Sequence, residues 1–402
     1  MRILQINTID KRGGAAKVSY SLKKELEKRG HETSMFVGRK YSDEKNIKLL
    51  NDVGSFSNKV RRKLSYWLAN DIDVFFSDHI LKTEEFKKAD IVHCHNLHSN
   101  YFNLRTLEKI SRIKPAIWTF HDMWPITAHC AHSFDGNLKK NGFFACPSLD
   151  IPPAIAWHNE KYLEKRKNNI YAKSNFHIVT PSKWLAHKVK QSTLKEKPLS
   201  VIYNGIDISI FKPCNRQESR QELELPQNKR IILIVAKRGQ SNPWKGGSYA
   251  QEAIKALKMV PDTFFIDLGG NANQTIGNVK TVSFINNPPM LAKYYSAADV
   301  LLYPSIADNC PLVVLEAMAC GLPVVSFNTG GIPELVEHKI NGYISEYKNQ
   351  NDLEVGIKYL VNLPVHEIEK IRQCSINKIK TGFTVEKMAD QYIRLYEKSH
   401  LT

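Results

Sequence analysis

Short β-rich runs alternate with amphipathic helical stretches along nearly the whole chain, in two separate series. A strand, a crossover helix and a second parallel strand pack by burying the sheet under helices. The alternation therefore predicts parallel α/β domains rather than a sandwich or a bundle. The first series is Arg2–Ile6, Glu32–Val37, Ile91–His93, Ile117–Phe120, His177–Thr180 and Ser200–Tyr203. The second is Ile231–Ala236, Phe264–Leu268, Thr281–Phe284, Val300–Tyr303 and Pro323–Phe327. Two series imply two doubly wound, Rossmann-like domains. The turn and linker NGIDISIFKP at 204–213 lies between them, which gives domains 1–206 and 207–383. Residues 384–402 read as a closing helix with apolar positions at Met388, Tyr392, Leu395 and Tyr396.

Composition narrows the function classes. No apolar run approaches the ~18 residues that span a bilayer, and the start lacks the apolar core and cleavage site of a signal peptide. A cytoplasmic protein is expected. Seven cysteines without a CxxC pair do not read as a disulfide framework. The net charge of +17 fits nucleic acid, an anionic lipid surface, a phosphorylated substrate or simply a lysine-rich solvated surface. Against nucleic acid stands the lack of a recognisable RNA or DNA motif and of regular basic–aromatic interleaving. Between Lys40 and Lys88 the alternation blurs. NKVRRKLSYWLAND there reads as a basic amphipathic helix with Val60, Leu64, Trp67 and Leu68 on one face. Such a helix lies on an anionic membrane or turns its apolar face to the core.

Several loops after strands carry chemistry. Gly13 and Gly14 open a helix after the first strand, where free N–H groups favour an anion and glycine allows close approach. The pattern is not GxGxxG, and a turn chosen only for its backbone angles explains it equally. His93, Cys94, His95, His98, His121 and Asp122 follow strands, where α/β proteins place ligands, and His121 with Asp122 suits hydroxyl binding or proton transfer. His129, Cys130, His132 and Cys146 offer zinc ligands, but their spacing matches no standard pattern; buried thiols and bonded histidines are the other reading. Lys237, Arg238 and Lys245 after a strand suit a diphosphate clamp or a solvated basic loop. In 303–321, Pro311 suits the first turn of a helix and Asp308 or Asn309 its cap. Glu316 lies among Leu312, Val313, Leu315, Ala317 and Ala319, so its carboxylate needs a partner: a ribose diol or a lysine. Asn328–Glu334 adds a third loop on the same rim.

Asp308–Gly321 and Gly330–Glu334, with Gly13, Gly14 and Trp118–Pro125, resemble the retaining glycosyltransferases of family four, especially bacterial enzymes of surface-polysaccharide assembly. The resemblance spans nearly the whole chain. It implies the GT-B fold, two Rossmann-like domains facing a deep cleft, with the final helix returning to the N-terminal domain. It implies a nucleotide-sugar donor as substrate, a glycan or lipid-linked acceptor, and neither cofactor nor divalent metal. Glu316 matches the family glutamate that binds the nucleotide ribose, and Asp308 stands where the family has a longer glutamate that touches the donor sugar. Asn309, Cys310, Pro311 and Leu312 fall in the segment lining sugar and diphosphate, Lys245 matches the clamp lysine, and Arg238 is the nearest candidate for its arginine. Gly14, beside Gly13, matches the glycine near the donor phosphate, and His121 the histidine near the sugar. Subfamily members often carry further cysteines where this chain has Gly136 and Phe143. Lipid-linked acceptors also give the basic charge a reason: attachment to the anionic inner face of the membrane without a span. A sugar phosphorylase or nucleotide-sugar epimerase on the same fold is the alternative, and a basic nucleic-acid-binding protein a remote one.

Overall fold

Two seven-stranded sheets carry the protein, each in its own unit: Met1–Tyr203 with Val385–Thr402, and Asn204–Thr384. The computed structural model describes residues 1–51, 55–134, 136–235, 243–257, 262–270 and 272–401.

The first sheet contains β1 (Arg2–Ile9), β2 (Glu32–Arg39), β3 (Ile47–Leu49), β4 (Ile91–Cys94), β5 (Ala116–Thr119), β6 (His177–Thr180) and β7 (Leu199–Val201). Their order is β3-β2-β1-β4-β5-β6-β7, with every pairing parallel. β4 and β5 are buried at every residue, because helices cover both faces of a parallel sheet. The order reverses between β1 and β4, and such a reversal opens a crevice at the carboxyl ends of the strands. The last helix, Val385–Leu401, packs in this unit, and its tyrosines explain why. Tyr396 Oη meets His93 Nδ1 at 2.7 Å, and Tyr392 Oη meets Thr119 Oγ1 at 2.8 Å, both in the buried ends of β4 and β5. Four residues apart, the two tyrosines share one helix face.

The second sheet contains β8 (Arg230–Val235), β9 (Thr263–Gly270), β10 (Gln274–Ile276), β11 (Val279–Ser283), β12 (Val300–Tyr303), β13 (Val324–Phe327) and β14 (Gly342–Ser345). Its order is β10-β11-β9-β8-β12-β13-β14, and β10 pairs antiparallel to β11. The reversal here lies between β8 and β12, so the loops leaving these two strands border its crevice.

The segment between Lys40 and Lys88 resolves one alternative. The helix Phe56–Trp67 does not turn its apolar face to the core; its buried residues are Asn58 and Ser65. Among the described residues no helix is long and apolar enough to cross a membrane.

Candidate active site

In the second unit the crevice is built by two loops locked together. Trp244 O accepts hydrogen bonds from Ile306 N and Ser305 Oγ, both at 3.1 Å. Gly246 has φ +69°, and a Cβ there would lie 1.7 Å from Pro304 O, so only glycine lets the loops approach this closely. The contact delivers Lys245 to the end of β12. Its ammonium donates to Tyr303 Oη at 3.0 Å and to Asp308 Oδ2, while Tyr303 Oη also donates to Asp308 Oδ2. Burial alone would depress the lysine, but the Asp308 carboxylate outweighs it and holds the pKa above the ordinary lysine value. The lysine is a fixed cation. Two of its three N–H donors are engaged by Tyr303 and Asp308, leaving one for an outside oxygen.

Asp308 also ties the third loop, since its carbonyl accepts from Gly331 N at 3.4 Å and its Oδ1 from Asn309 N at 3.1 Å. Asn204 Nδ2 donates to Cys310 O at 2.9 Å and fixes the chain before the next helix, Leu312–Ala319. Burial pushes the Cys310 thiol up to about 12, so it is a neutral packing group. The start of this helix corrects two expectations. Pro311 is the N-cap itself, with ψ 123°, rather than a first-turn residue, and no side chain caps the helix. Asp308 cannot serve as the cap because its oxygens are committed to Lys245, Tyr303 and Asn309 N. Without a capping side chain, the first N–H groups of the helix keep their capacity for an anion.

Glu316 lies in that helix and is 4% exposed. Tyr295 donates its hydroxyl to Glu316 Oε2 at 2.9 Å, a partner within the protein beside the diol or lysine read from the sequence. Neither Tyr295 nor Tyr303 stood out in the sequence. The one available signal was the position of Tyr303 at the end of a strand, five residues before an acid. Arg238 and Lys237 lie outside the described residues.

In the first unit, Asp10 organises the loop after β1. Its buried carboxylate accepts from Tyr41 N at 2.9 Å, Ser42 N at 2.8 Å and Lys11 N at 3.0 Å. Gly13 caps the helix Gly14–Lys28 with φ +99°, a conformation that calls for glycine. Gly14 is different: its φ is ordinary and, among the described residues, a Cβ would meet no atom within 4 Å beyond its chain neighbours and its own helix backbone. Nothing among the described residues requires glycine at that position.

At the carboxyl ends of β4 and β5 runs a row of imidazoles, His93 within β4 and His95 and His121 just after the strands. His95 Nδ1 meets His121 Nε2 at 3.0 Å with the rings stacked, and His93 Nε2 meets Thr119 Oγ1 at 2.8 Å. Asp122 turns away from its neighbour: it binds His98 Nε2 at 2.8 Å and accepts from Trp124 N at 2.9 Å. His121 and Asp122 therefore serve different partners. Burial holds the His93 imidazole down at about 3; it also holds His121 down at about 4, against the opposing charge of Asp122. Both are neutral at pH 7. An unfolded histidine takes a proton near pH 6.5, so between that pH and about 4 the unfolded chain binds more protons and stability falls as pH falls. His93 alone accounts for about 2 kcal/mol of loss at pH 5. Urea unfolding at pH 7 and pH 5 checks this, and equal stabilities at both would contradict it.

The Cys130 and Cys146 region holds bonded side chains. Cys130 N donates to Cys146 Sγ at 3.3 Å, and His129 Nδ1 meets Pro153 O at 2.9 Å. Among the described residues no group of three or more His, Cys, Asp or Glu side chains is arranged to hold a metal ion.

Comparison with known proteins agrees with this layout. A model of glycosyltransferase family 4 matches residues 12–210, and one of glycosyl transferases group 1 matches residues 215–381. WcaC of Escherichia coli K12, which carries the name of a colanic acid biosynthesis glycosyl transferase, is 24% identical over 76% of this chain and 76% of its own length. An Escherichia coli UDP-Gal:alpha-D-GlcNAc-diphosphoundecaprenol alpha-1,3-galactosyltransferase is 30% identical over 52% of this chain and 56% of its own. Among solved structures, sucrose-phosphate synthase from Thermosynechococcus elongatus superposes with TM-score 0.73 at 17% identity, over 99% of this chain and 98% of that one. Anabaena HepE in complex with UDP-glucose gives 0.68 at 18%, over 99% and 100%. The chain belongs to the family-four glycosyltransferases and has the GT-B fold.

Proposed function

We propose that the protein is a retaining, metal-independent hexosyltransferase of cell-surface polysaccharide synthesis. It would move a sugar from a nucleoside-diphosphate donor to a glycan or lipid-linked acceptor on the inner membrane face. The observation that carries this reading is the Lys245 ammonium, held by Tyr303 and Asp308 at the crevice of the second sheet. A fixed cation beside an uncapped helix start suits a leaving diphosphate, since preorganised charge stabilises what develops in the transition state. Support also comes from the diphosphoundecaprenol-linked substrate in the name of one relative and from the UDP-glucose bound to one structural neighbour.

In this mechanism the bond from the anomeric carbon to the diphosphate oxygen breaks. The acceptor oxygen bonds to the same face of that carbon, and the acceptor proton passes to the departing phosphate. Lys245, the Asn309–Leu312 segment with the N–H groups of Cys310 and Leu312, and Arg238 take up the diphosphate charge. Gly13 and Gly14 leave room for phosphate at the first helix, and Glu316 binds the ribose diol. His121, neutral at pH 7, orients the sugar by hydrogen bonding rather than as an acid. Asp308 acts through Lys245, as a positioning residue. No nucleic acid and no cofactor take part.

A thermal-shift screen across nucleotide-sugars tests the donor. A bound donor at a hundred times its Kd adds about 2.7 kcal/mol of stability, so one or a few donors should raise the midpoint clearly. Product analysis with a lipid-linked acceptor then separates transfer from phosphorolysis and epimerisation. A flat screen, or sugar released only to inorganic phosphate, would reject the proposal.

A further inference from the structure

The helix Phe56–Trp67 is built inside out. Phe56, Val60, Leu64 and Trp67 recur at the helical period and form one stripe. An amphipathic helix of a globular protein normally turns such a stripe to the core. Here Phe56 is 82% exposed and Trp67 66%, Val60 and Leu64 are exposed as well, and the buried residues are Asn58 and Ser65 on the opposite side. The polar side is anchored: Ser55 caps the helix by accepting from Asn58 N, and Ser65 Oγ donates to Asn70 O at 2.9 Å. The orientation is therefore fixed by the protein's own bonds.

The apolar surface continues beyond the helix. Phe76, 67% exposed, lies under the Arg61 guanidinium at 4.9 Å, and exposed Trp157 donates its indole N–H to Trp67 O at 2.9 Å. Exposed Lys59 and Lys63 flank the stripe. Aromatic and aliphatic side chains framed by cations match an anionic bilayer, whose boundary takes the rings while phosphates meet the lysines. Headgroup phosphates meet such flanking cations without a geometrically matched set of acids. The chain's net +17 favours the bilayer further.

We propose that this face, centred on Phe56, Val60, Leu64 and Trp67, is the surface by which the protein docks on an anionic lipid bilayer. The helix lies in the plane of the interface, with its stripe about 5–10 Å into the headgroup boundary and Lys59 and Lys63 reaching back to phosphate. This assignment rests on the reading that the acceptor is carried by a membrane lipid, and it names the part of the chain that meets that membrane.

Co-sedimentation tests it with vesicles of phosphatidylcholine alone and with about a third phosphatidylglycerol. The full-length protein should sediment with the anionic vesicles and progressively less as salt rises. Phe56→Ser with Trp67→Ser should weaken that binding about tenfold or more even at low salt. Lys59→Glu with Lys63→Glu should remove the preference for the anionic lipid. Both variants should keep the wild-type melting midpoint and the wild-type thermal shift with nucleotide-sugars. Wild-type protein indifferent to both vesicles, or variants that bind like wild type, would overturn the assignment. So would a concentration-dependent dimer, seen by sedimentation velocity, that the Phe56 and Trp67 changes abolish without any vesicle binding. A missing nucleotide-sugar shift in all proteins, with vesicle binding intact, would count against the transferase proposal and leave the docking face standing.

Discussion

Lys245→Ala is expected to lower sugar transfer by roughly two to three orders of magnitude while leaving the protein folded. The size follows from the site: the lysine is a cation already oriented before any charge develops, so its loss falls on the transition state more than on donor binding. Asp308→Asn should cost less, about tenfold, and in a different way. Asparagine keeps the shape but removes the charge that opposes burial at Lys245. The lysine pKa then drops, and the alkaline limb of the pH–rate profile should move to lower pH in the variant. Tyr303→Phe should show a weaker shift of the same sign, since its hydroxyl is the other acceptor at 3.0 Å. If Asp308 works through Lys245, combining the two substitutions should cost little more than Lys245→Ala alone. Fully additive losses would mean that Asp308 touches the donor sugar independently, and the positioning role would be wrong.

The pairing behind this prediction shows where the sequence stops being informative. The buried strands were legible because parallel strands covered on both faces become unbroken apolar runs, as in Val300–Tyr303 and Val324–Phe327. β3 and β10 were not, being three residues long at the sheet edges, nor was β14, which opens with a glycine and carries only two strongly apolar residues. The site divides in the same way. Gly13, Glu316 and the Asp308–Leu312 segment stood out because local rules govern them: a helix start, an acid among apolar neighbours, a proline by a helix. The pairing of those residues with their partners did not stand out, although Lys245 itself did. Lys245 meets Asp308 across 63 positions, and Glu316 meets Tyr295 across 21, so no local rule connects them. Pro311 was misplaced by one residue because a proline fits either side of a helix start, and only its ψ of 123° decides. The helix Phe56–Trp67 was ambiguous for a further reason. Periodicity identifies an apolar face but carries no information about what that face meets.

Glu316→Gln should separate donor binding from stability. The carboxylate is buried and its Oε2 accepts from Tyr295 at 2.9 Å. A glutamine amide oxygen can accept the same bond in nearly the same volume, and it removes a charge that is costly to bury. The melting midpoint should therefore stay level or rise. Donor affinity should fall by one to two orders of magnitude, because hydrogen bonds from hydroxyls to a charged acceptor are worth about 1.5–3 kcal/mol each. Glu316→Ala should lose donor binding at least as strongly. It also strands the Tyr295 hydroxyl in the core at a cost of about 1–3 kcal/mol, which a domain of ordinary stability survives. Tyr295→Phe keeps the acid and should weaken the donor only slightly. The decisive comparison uses nucleotides lacking the ribose hydroxyls. Wild-type protein should bind them about as poorly as Glu316→Gln binds the intact nucleotide, and the variant should no longer distinguish the two. If Glu316→Gln instead lowers the melting midpoint and still prefers the intact ribose, Glu316 is a structural partner of Tyr295 and the diol is read elsewhere.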